Sequence, residues 1–369
     1  MMGEHAAILT IDLEALRANW RLLAKRGGGA QTGAAVKADA YGLGIETVVP
    51  ALLEAGCRSF FVAHLSEGLR VRAVAPQAAI YVLNGLAEAS LADYRHHRLR
   101  PVLGSAREIG LWKGQAGERA ALHVDTGMNR LGMRRQEALA LIRDHRLADL
   151  GIGLVMSHFA SSEYPEAADT RAQIAAFAEL AEVIQAPDGL NRETSLSLWN
   201  SSAHFIDGAE PYALTRPGYA LYGGNPTPDK LNPMRPVIRL EAPIVQINHV
   251  PAGEAVGYNG NFVAPRDSRI ATISCGYADG LPRNLGNRSG HPGGIARVAG
   301  RECPFAGNVS MDLITIDITD LPEDAAMPGD LVTLIDEELT IERVGARGDT
   351  IGYEILTSLG RRYRRIAIG

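Results

Sequence analysis

Two rhythms of apolar residues alternate along the first two thirds of the chain. Short apolar runs of strand length, "TGAAVKA", "SFFVAH", "AIYVLN", "RPVLG", "ALHVD", "GLVMSH", "SLSLWN" and "YALTRPG", are each followed by helical spacing. Ahead of them, Leu13, Leu16, Trp20 and Leu23 share one helical face, and Asp12 stands where an N-cap belongs. Helix signals lie between the runs: "IETVVPALLEAG" stopping at Gly56, the capping-box pair Ser105 and Glu108, and the long "AADTRAQIAAFAELAEVIQ". Eight strand and helix units over roughly the first 225 residues predict a parallel (β/α)8 barrel of the TIM type. A doubly wound sheet has the same alternation, and the count favours the barrel.

Beyond the Pro, Gly and Asn cluster "YGGNPTPDKLNPMRP", the pattern becomes short alternating strands divided by turns, as in "IRLEAPIVQINHV", "RIATISCGYADG", "DLITIDITD" and "GDLVTLID". The expected organisation is an α/β barrel domain over 1–228 and an all-β domain over 229–369, with the first ten or so residues able to add a strand to the second domain. No internal repeat or low-complexity tract interrupts it.

Length and composition narrow the function. A chain of 369 residues, 46% hydrophobic and 21% charged, has material for both cores and no signature of long disorder. A net charge of −5 offers no basic field for nucleic acid or anionic lipid. Cys57, Cys275 and Cys303 are too few and too scattered for a disulfide framework or a zinc site, and no metal is expected. The opening residues carry an early acid and no apolar run of signal-peptide or membrane-spanning length. A cytoplasmic protein with a small-molecule substrate, and neither nucleic acid nor membrane as partner, is the expectation.

In a parallel barrel the chemistry gathers where strands end. Those ends are Lys37 after the first strand, Arg130 after the fifth, His158 after the sixth, Asn200 and Ser201 after the seventh, and Arg216 to Tyr219 after the eighth. A lone lysine there reads equally as a snorkelling surface residue. A desolvated lysine with a depressed pKa forms a Schiff base with a carbonyl cofactor such as pyridoxal phosphate. Tyr41, Ser201 and the backbone amides of Gly218 and Tyr219 would then hold the phosphate. Taken singly, His158 reads as a core histidine and Arg216, before Pro217, as a structural strand-end residue. The tail "RRYRR" reads as a solvated or interface face, and the His96 and His97 pair lacks ligand partners.

Together, "AVKADAYGLG", "HVDTGMNRLG", "MSHFA", "WNSSA", "TRPGYALYG", "GYNGNF", "CGYADGLPR" and "NVSMD" resemble, in order and over nearly the whole chain, the alanine racemase family. The resemblance implies a pyridoxal 5'-phosphate barrel joined to a β domain, in a head-to-tail homodimer whose active sites are shared between subunits. It implies that Lys37 is the Schiff-base lysine and that Tyr258 is the tyrosine base supplied by the other subunit. By the same resemblance Arg216 faces the pyridine nitrogen, His158 stands between Arg216 and Tyr258, and Arg130 lies near the cofactor phenolate and the substrate carboxylate. Met311, with Asp312 in support, is implied as the partner residue whose amide holds that carboxylate, and Tyr353 as a phosphate-contacting gate. Asn200, Ser201, Tyr41, Gly218 and Tyr219 complete the cofactor site.

The chemistry of the residues agrees. Racemisation removes an α-proton from one face and returns one to the other, so two bases on opposite sides are the simplest solution. A tyrosine with a pKa of about 10 needs its phenolate stabilised, and a chain from Tyr258 through His158 to Arg216 would do so. An arginine opposite the pyridine nitrogen leaves that nitrogen unprotonated and favours clean reprotonation over transamination. Two positions depart from the family pattern. His123 stands where many racemases carry a carboxylated lysine that orients the arginine, so a bound anion or a direct histidine contact would replace it, and the residues flanking Tyr258 differ from the commoner serine and glycine.

The expected activity is interconversion of L- and D-alanine, supplying D-alanine for peptidoglycan. A serine or broad-specificity racemase would need modest pocket changes only. A barrel-type amino-acid decarboxylase would place an acid at the pyridine nitrogen, where Arg216 stands. A non-catalytic pyridoxal-phosphate carrier would resemble the barrel alone.

Overall fold

All eight apolar runs form strands, and their order is the chain order. Ala34–Ala35, Ser59–Val62, Ala79–Val82, Arg100–Leu103, Ala120–Asp125, Ile152–Met156 and Ser195–Ser197 are successive parallel neighbours in the computed structural model. The last strand, Leu214–Thr215, pairs in parallel with Gln31–Thr32, which Gly33 separates from Ala34–Ala35. Hydrogen bonds from Ala213 N to Leu196 O (3.1 Å), Arg216 N to Trp199 O (2.8 Å) and Ala35 N to Pro217 O (2.8 Å) close the ring. The structure describes residues 6–115, 117–187, 189–287 and 291–369, so the first five residues of the opening segment lie outside the description.

The first helix, Leu13–Arg26, starts where its cap dictates: the Asp12 carboxylate accepts from Ala15 N at 2.8 Å. Such a cap contributes about 1 kcal/mol. Leu16, Trp20 and Leu23 bury one face against the barrel. Ile45–Ala55 stops at Gly56, whose φ of 114° disfavours any side chain. At Ala106–Trp112 the Ser105 hydroxyl accepts from Glu108 N (3.3 Å), but the Glu108 carboxylate accepts from Gly104 N (2.8 Å) and Leu86 N (2.9 Å). The glutamate thus ties two strand-end loops together and does not close the box on Ser105's own N–H.

The second domain is built mostly of strands. Its sheet runs Arg301–Pro304, Ile295–Val298, Leu331–Ile335, Ile238–Val250, Ile8–Asp12, Arg364–Ile368. Ile8–Asp12 lies antiparallel to Ile238–Val250 and parallel to Arg364–Ile368, so the start of the chain is woven into its end. Two short helices, Ile341–Arg347 and Gly352–Ser358, interrupt the strands. They press on the barrel mouth so closely that a Cβ on Gly42 would meet Leu356 O at 2.2 Å. Arg365 donates to Gly42 O at 2.7 Å across the same seam.

Candidate active site

Lys37 opens a turn that L-residues disfavour. Ala38, Asp39, Ala40 and Tyr41 all have φ of 53–55°. A left-handed conformation costs about 1–2 kcal/mol per residue, so the surroundings must hold it. Asp39 is the fulcrum: its N–H donates to Glu67 Oε1 (3.2 Å), its carboxylate accepts from Ile45 N (3.0 Å), and Arg70 pairs with it at 2.7 Å. Glu67 also accepts from Ala63 N (2.8 Å) and His64 N (3.1 Å), the loop after the next strand. Two neighbouring strand ends are thereby locked, and Lys37 is fixed at the start of the turn.

The lysine faces a cavity of about 900 Å³ at the C-terminal ends of the barrel strands. Tyr41, Arg130, His158, Asn200, Ser201, Arg216, Gly218, Tyr219 and Tyr353 line it, as the sequence leads one to expect, together with His123. Phe61 and Met156, to which the sequence assigns no role, form part of the wall. At one end, Ser201 Oγ accepts from Gly218 N (2.9 Å) and Ala220 N (3.2 Å), leaving its own hydrogen to donate. The Tyr41 hydroxyl lies so close to Gly218 that a Cβ there would be 2.4 Å away. Hydroxyls and a glycine-lined backbone therefore converge on one pocket, a donor set suited to a phosphate. Asn200 has a different duty: its Oδ1 accepts from Ser162 Oγ (2.9 Å) and Ala203 N (3.1 Å).

Charge in the cavity is mostly positive. Arg216 is only 6% exposed and no carboxylate pairs with it among the described residues. Its guanidinium donates to Ser197 Oγ, Ser157 O and Leu198 O, with the Phe61 ring 5.9 Å away. Burial pushes its pKa down to about 9, which still leaves it protonated at neutral pH. Burial, and then the charge of Arg130, hold the Lys37 pKa below the usual lysine range, against a weaker pull from Glu67. Burial first and the charge of Arg216 second hold His158 well below the usual histidine range and bring His123 to about 4. Both imidazoles are neutral at pH 7.

Among the described residues no hydrogen bond joins His158 to Arg216, whose two terminal nitrogens donate instead to Ser157, Ser197 and Leu198. His123 likewise makes no direct hydrogen bond to Arg130. Three expected residues lie away from the cavity. Tyr258 is 70% exposed on the turn Tyr258–Gly260, which Asn308 Nδ2 anchors by donating to Tyr258 O at 2.9 Å. Met311 is 54% exposed, and its carbonyl accepts from Ala278 N at 2.9 Å. Asp312 is bound by Arg362 at 2.7 Å, and Arg362 also grips Asp279 at 2.7 and 2.8 Å. The "RRYRR" tail is therefore in part a structural clamp, because these acids provide partners that lie 50 and 83 residues away in the chain.

A buried histidine gives a prediction for stability. His204 is 3% exposed, with Nδ1 2.7 Å from Asn200 O and Nε2 3.1 Å from Thr215 Oγ1. Burial lowers its pKa from 6.5 to about 4. The unfolded chain then takes up a proton that the folded chain refuses, so stability is lost as pH falls from 6.5 towards 4. Between pH 6.5 and 5 this loss amounts to about 2 kcal/mol. Urea unfolding at the two pH values should show it, and His204→Gln should reduce the slope. An unchanged slope in the variant would assign the acid sensitivity elsewhere.

A (β/α)8 barrel with a lysine at its mouth, closed by helices of an appended β domain, defines the structural class. The sequence profile of the alanine racemase N-terminal domain matches residues 11–226, and that of the alanine racemase C-terminal domain matches 237–367. The chain is 52% identical, over 99% of its length and 98% of the other protein's, to an alanine racemase of Methylobacterium sp. (strain 4-46). It is 44% identical, over 98% of its length and 92% of the relative's, to a catabolic alanine racemase of Agrobacterium fabrum. The crystal structure of alanine racemase from Bartonella henselae with covalently bound pyridoxal phosphate superposes with a TM-score of 0.90 at 38% identity, covering 98% of this chain and 99% of that one. The chain belongs to the alanine racemase family.

Proposed function

We propose that the cavity at Lys37 interconverts L- and D-alanine with pyridoxal phosphate as cofactor. The observation that carries this reading is the desolvated Lys37 beside a donor set suited to a phosphate, in a cavity whose Lys37, Arg130 and Arg216 form no ion pair among the described residues. When bound, pyridoxal phosphate supplies the electron sink that acidifies the α-hydrogen of an amino acid. Lys37 would anchor it covalently. Tyr41, Ser201, Tyr353 and the amide of Tyr219 would hold its phosphate, with the Gly218 amide committed to Ser201 Oγ and Asn200 setting the backbone behind Ser201. Arg216, protonated and donor-only, would face the ring nitrogen and keep a proton off it. Arg130 takes the substrate carboxylate. Neutral His158 stands ready to accept a hydrogen bond on the side of the cavity facing the second base.

Within one chain that second base is missing from the cavity, since Tyr258 and Met311 are exposed on the other domain. A second copy would bring them in: Tyr258 as the base on the opposite face, and Met311, backed by Asp312, as an amide for the carboxylate. The active unit is on this reading a homodimer with shared sites, the barrel domain being 1–228 and the partner-reaching domain 229–369. No helix among the described residues is long and apolar enough to cross a membrane. A cytoplasmic role in providing D-alanine for peptidoglycan fits this reading.

Borohydride reduction in the presence of pyridoxal phosphate, followed by peptide mapping, tests the site. The modification should fall on Lys37, and its appearance on Lys25, Lys113 or Lys230 would refute the assignment. The shared site has its own test. Lys37→Ala and Tyr258→Phe, each inactive alone, should regain activity when mixed, because hybrid dimers carry one intact site. No recovery after verified subunit exchange would exclude sharing.

A further inference from the structure

Tyr219 occupies a slot that only its own ring explains. Tyr353 stacks on one face with ring centroids 3.8 Å apart and planes 10° from parallel. A Cβ at Gly224 would fall 2.3–2.4 Å from its ring carbons, and a Cβ at Gly352 would fall 1.9 Å from its hydroxyl oxygen. Neither Gly224 nor Gly352 has a positive φ. These two positions are glycine because Tyr219 fills the space a side chain would need, not because their backbone requires it.

Past Gly352 the Tyr219 hydroxyl donates to Glu342 Oε1 at 2.7 Å, and the same oxygen accepts from Asn225 N at 2.7 Å. Among the described residues no lysine or arginine pairs with Glu342, so this carboxylate is committed to two neutral donors in the other domain. It lies on Ile341–Arg347, and Tyr353 lies on the following helix, Gly352–Ser358. One aromatic residue thus joins three things: its backbone is part of the turn beside Ser201, its ring supports Tyr353, and its hydroxyl is fixed from the second domain.

We propose that Tyr219 and Glu342 form an interdomain strut, and that Glu342 is a positioning residue that secures the phosphate end of the cavity by holding Tyr219 and, through it, Tyr353. The inference rests on the reading of that end as a pyridoxal-phosphate site. A hydrogen bond to a charged group is strong enough that its loss changes binding about tenfold.

The test is titration of full-length apoprotein with pyridoxal phosphate, followed by quenching of tryptophan fluorescence, with thermal unfolding of each apo variant alongside. Glu342→Ala should raise the dissociation constant about tenfold, and Tyr219→Phe, which keeps the stacked ring, should raise it several-fold. Glu342→Gln retains an amide oxygen able to accept both bonds, since both fall on Oε1, and should stay within about threefold of wild type. Unchanged dissociation constants in Glu342→Ala and Tyr219→Phe would overturn the strut, even with lowered melting temperatures. So would a Glu342→Gln as damaged as Glu342→Ala. A wild-type protein that fails to bind the cofactor would overturn both the strut and the functional reading, whereas binding with indifferent variants overturns the strut alone.

Discussion

With Lys37 replaced by alanine, racemisation should cease in both directions and α-hydrogen exchange should cease for both enantiomers. On the proposed reading, the substitution removes the covalent anchor and one of the two bases together. Loss of a positioned general base alone lowers a rate ~10²–10⁴-fold, and loss of the anchor compounds it. The protein should remain folded, because Lys37 makes no hydrogen bond or ion pair among the described residues. The left-handed turn behind it is held by Asp39, Glu67 and Arg70. Near-native racemisation by this variant, measured by chiral chromatography in each direction, would mean that the catalytic amine lies elsewhere.

Tyr258→Phe should produce a different defect. The ring remains and the proton-carrying hydroxyl is lost, so cofactor binding should survive while one face of the substrate loses its base. In deuterated water D-alanine should still exchange its α-hydrogen through Lys37, and L-alanine should exchange at least ~10²-fold more slowly. Net racemisation should fall in both directions, since a full cycle needs both faces. Equal, fast exchange of both enantiomers would remove Tyr258 from the role of second base. Because Tyr258 is 70% exposed in the single chain, L-alanine exchange by the wild-type protein, followed as protein concentration is lowered, reports whether the hydroxyl arrives from a partner.

What the sequence made legible follows from what each feature depends on. The barrel residues that converge on the cavity could be read because a parallel barrel sends every strand end to one face, so Lys37, His158, Ser201 and Arg216 needed only their place in the alternation. The left-handed turn Ala38–Tyr41 could not be read. Nothing in Ala-Asp-Ala-Tyr favours positive φ; contacts from Glu67 and Arg70, on the helix Leu65–Val74 beyond the next strand, impose it. The partners of Arg216 were hidden for a related reason, since two of them are backbone carbonyls just past the ends of other strands, which carry no residue signature. Glu342 stands 123 residues from Tyr219 and belongs to a short helix amid strand patterns. In the second domain, Ile295–Val298 and Arg301–Pro304 escaped notice because glycines and arginines break their alternation.

The most direct test of the whole account is the product formed by the purified wild-type protein with pyridoxal phosphate and a single enantiomer of alanine. Starting from either L- or D-alanine, chiral chromatography should show the opposite enantiomer accumulating to an equal mixture, with no carbon dioxide and no keto acid released. Carbon dioxide release, accumulation of pyruvate, or an alanine pool that keeps its original handedness would contradict it.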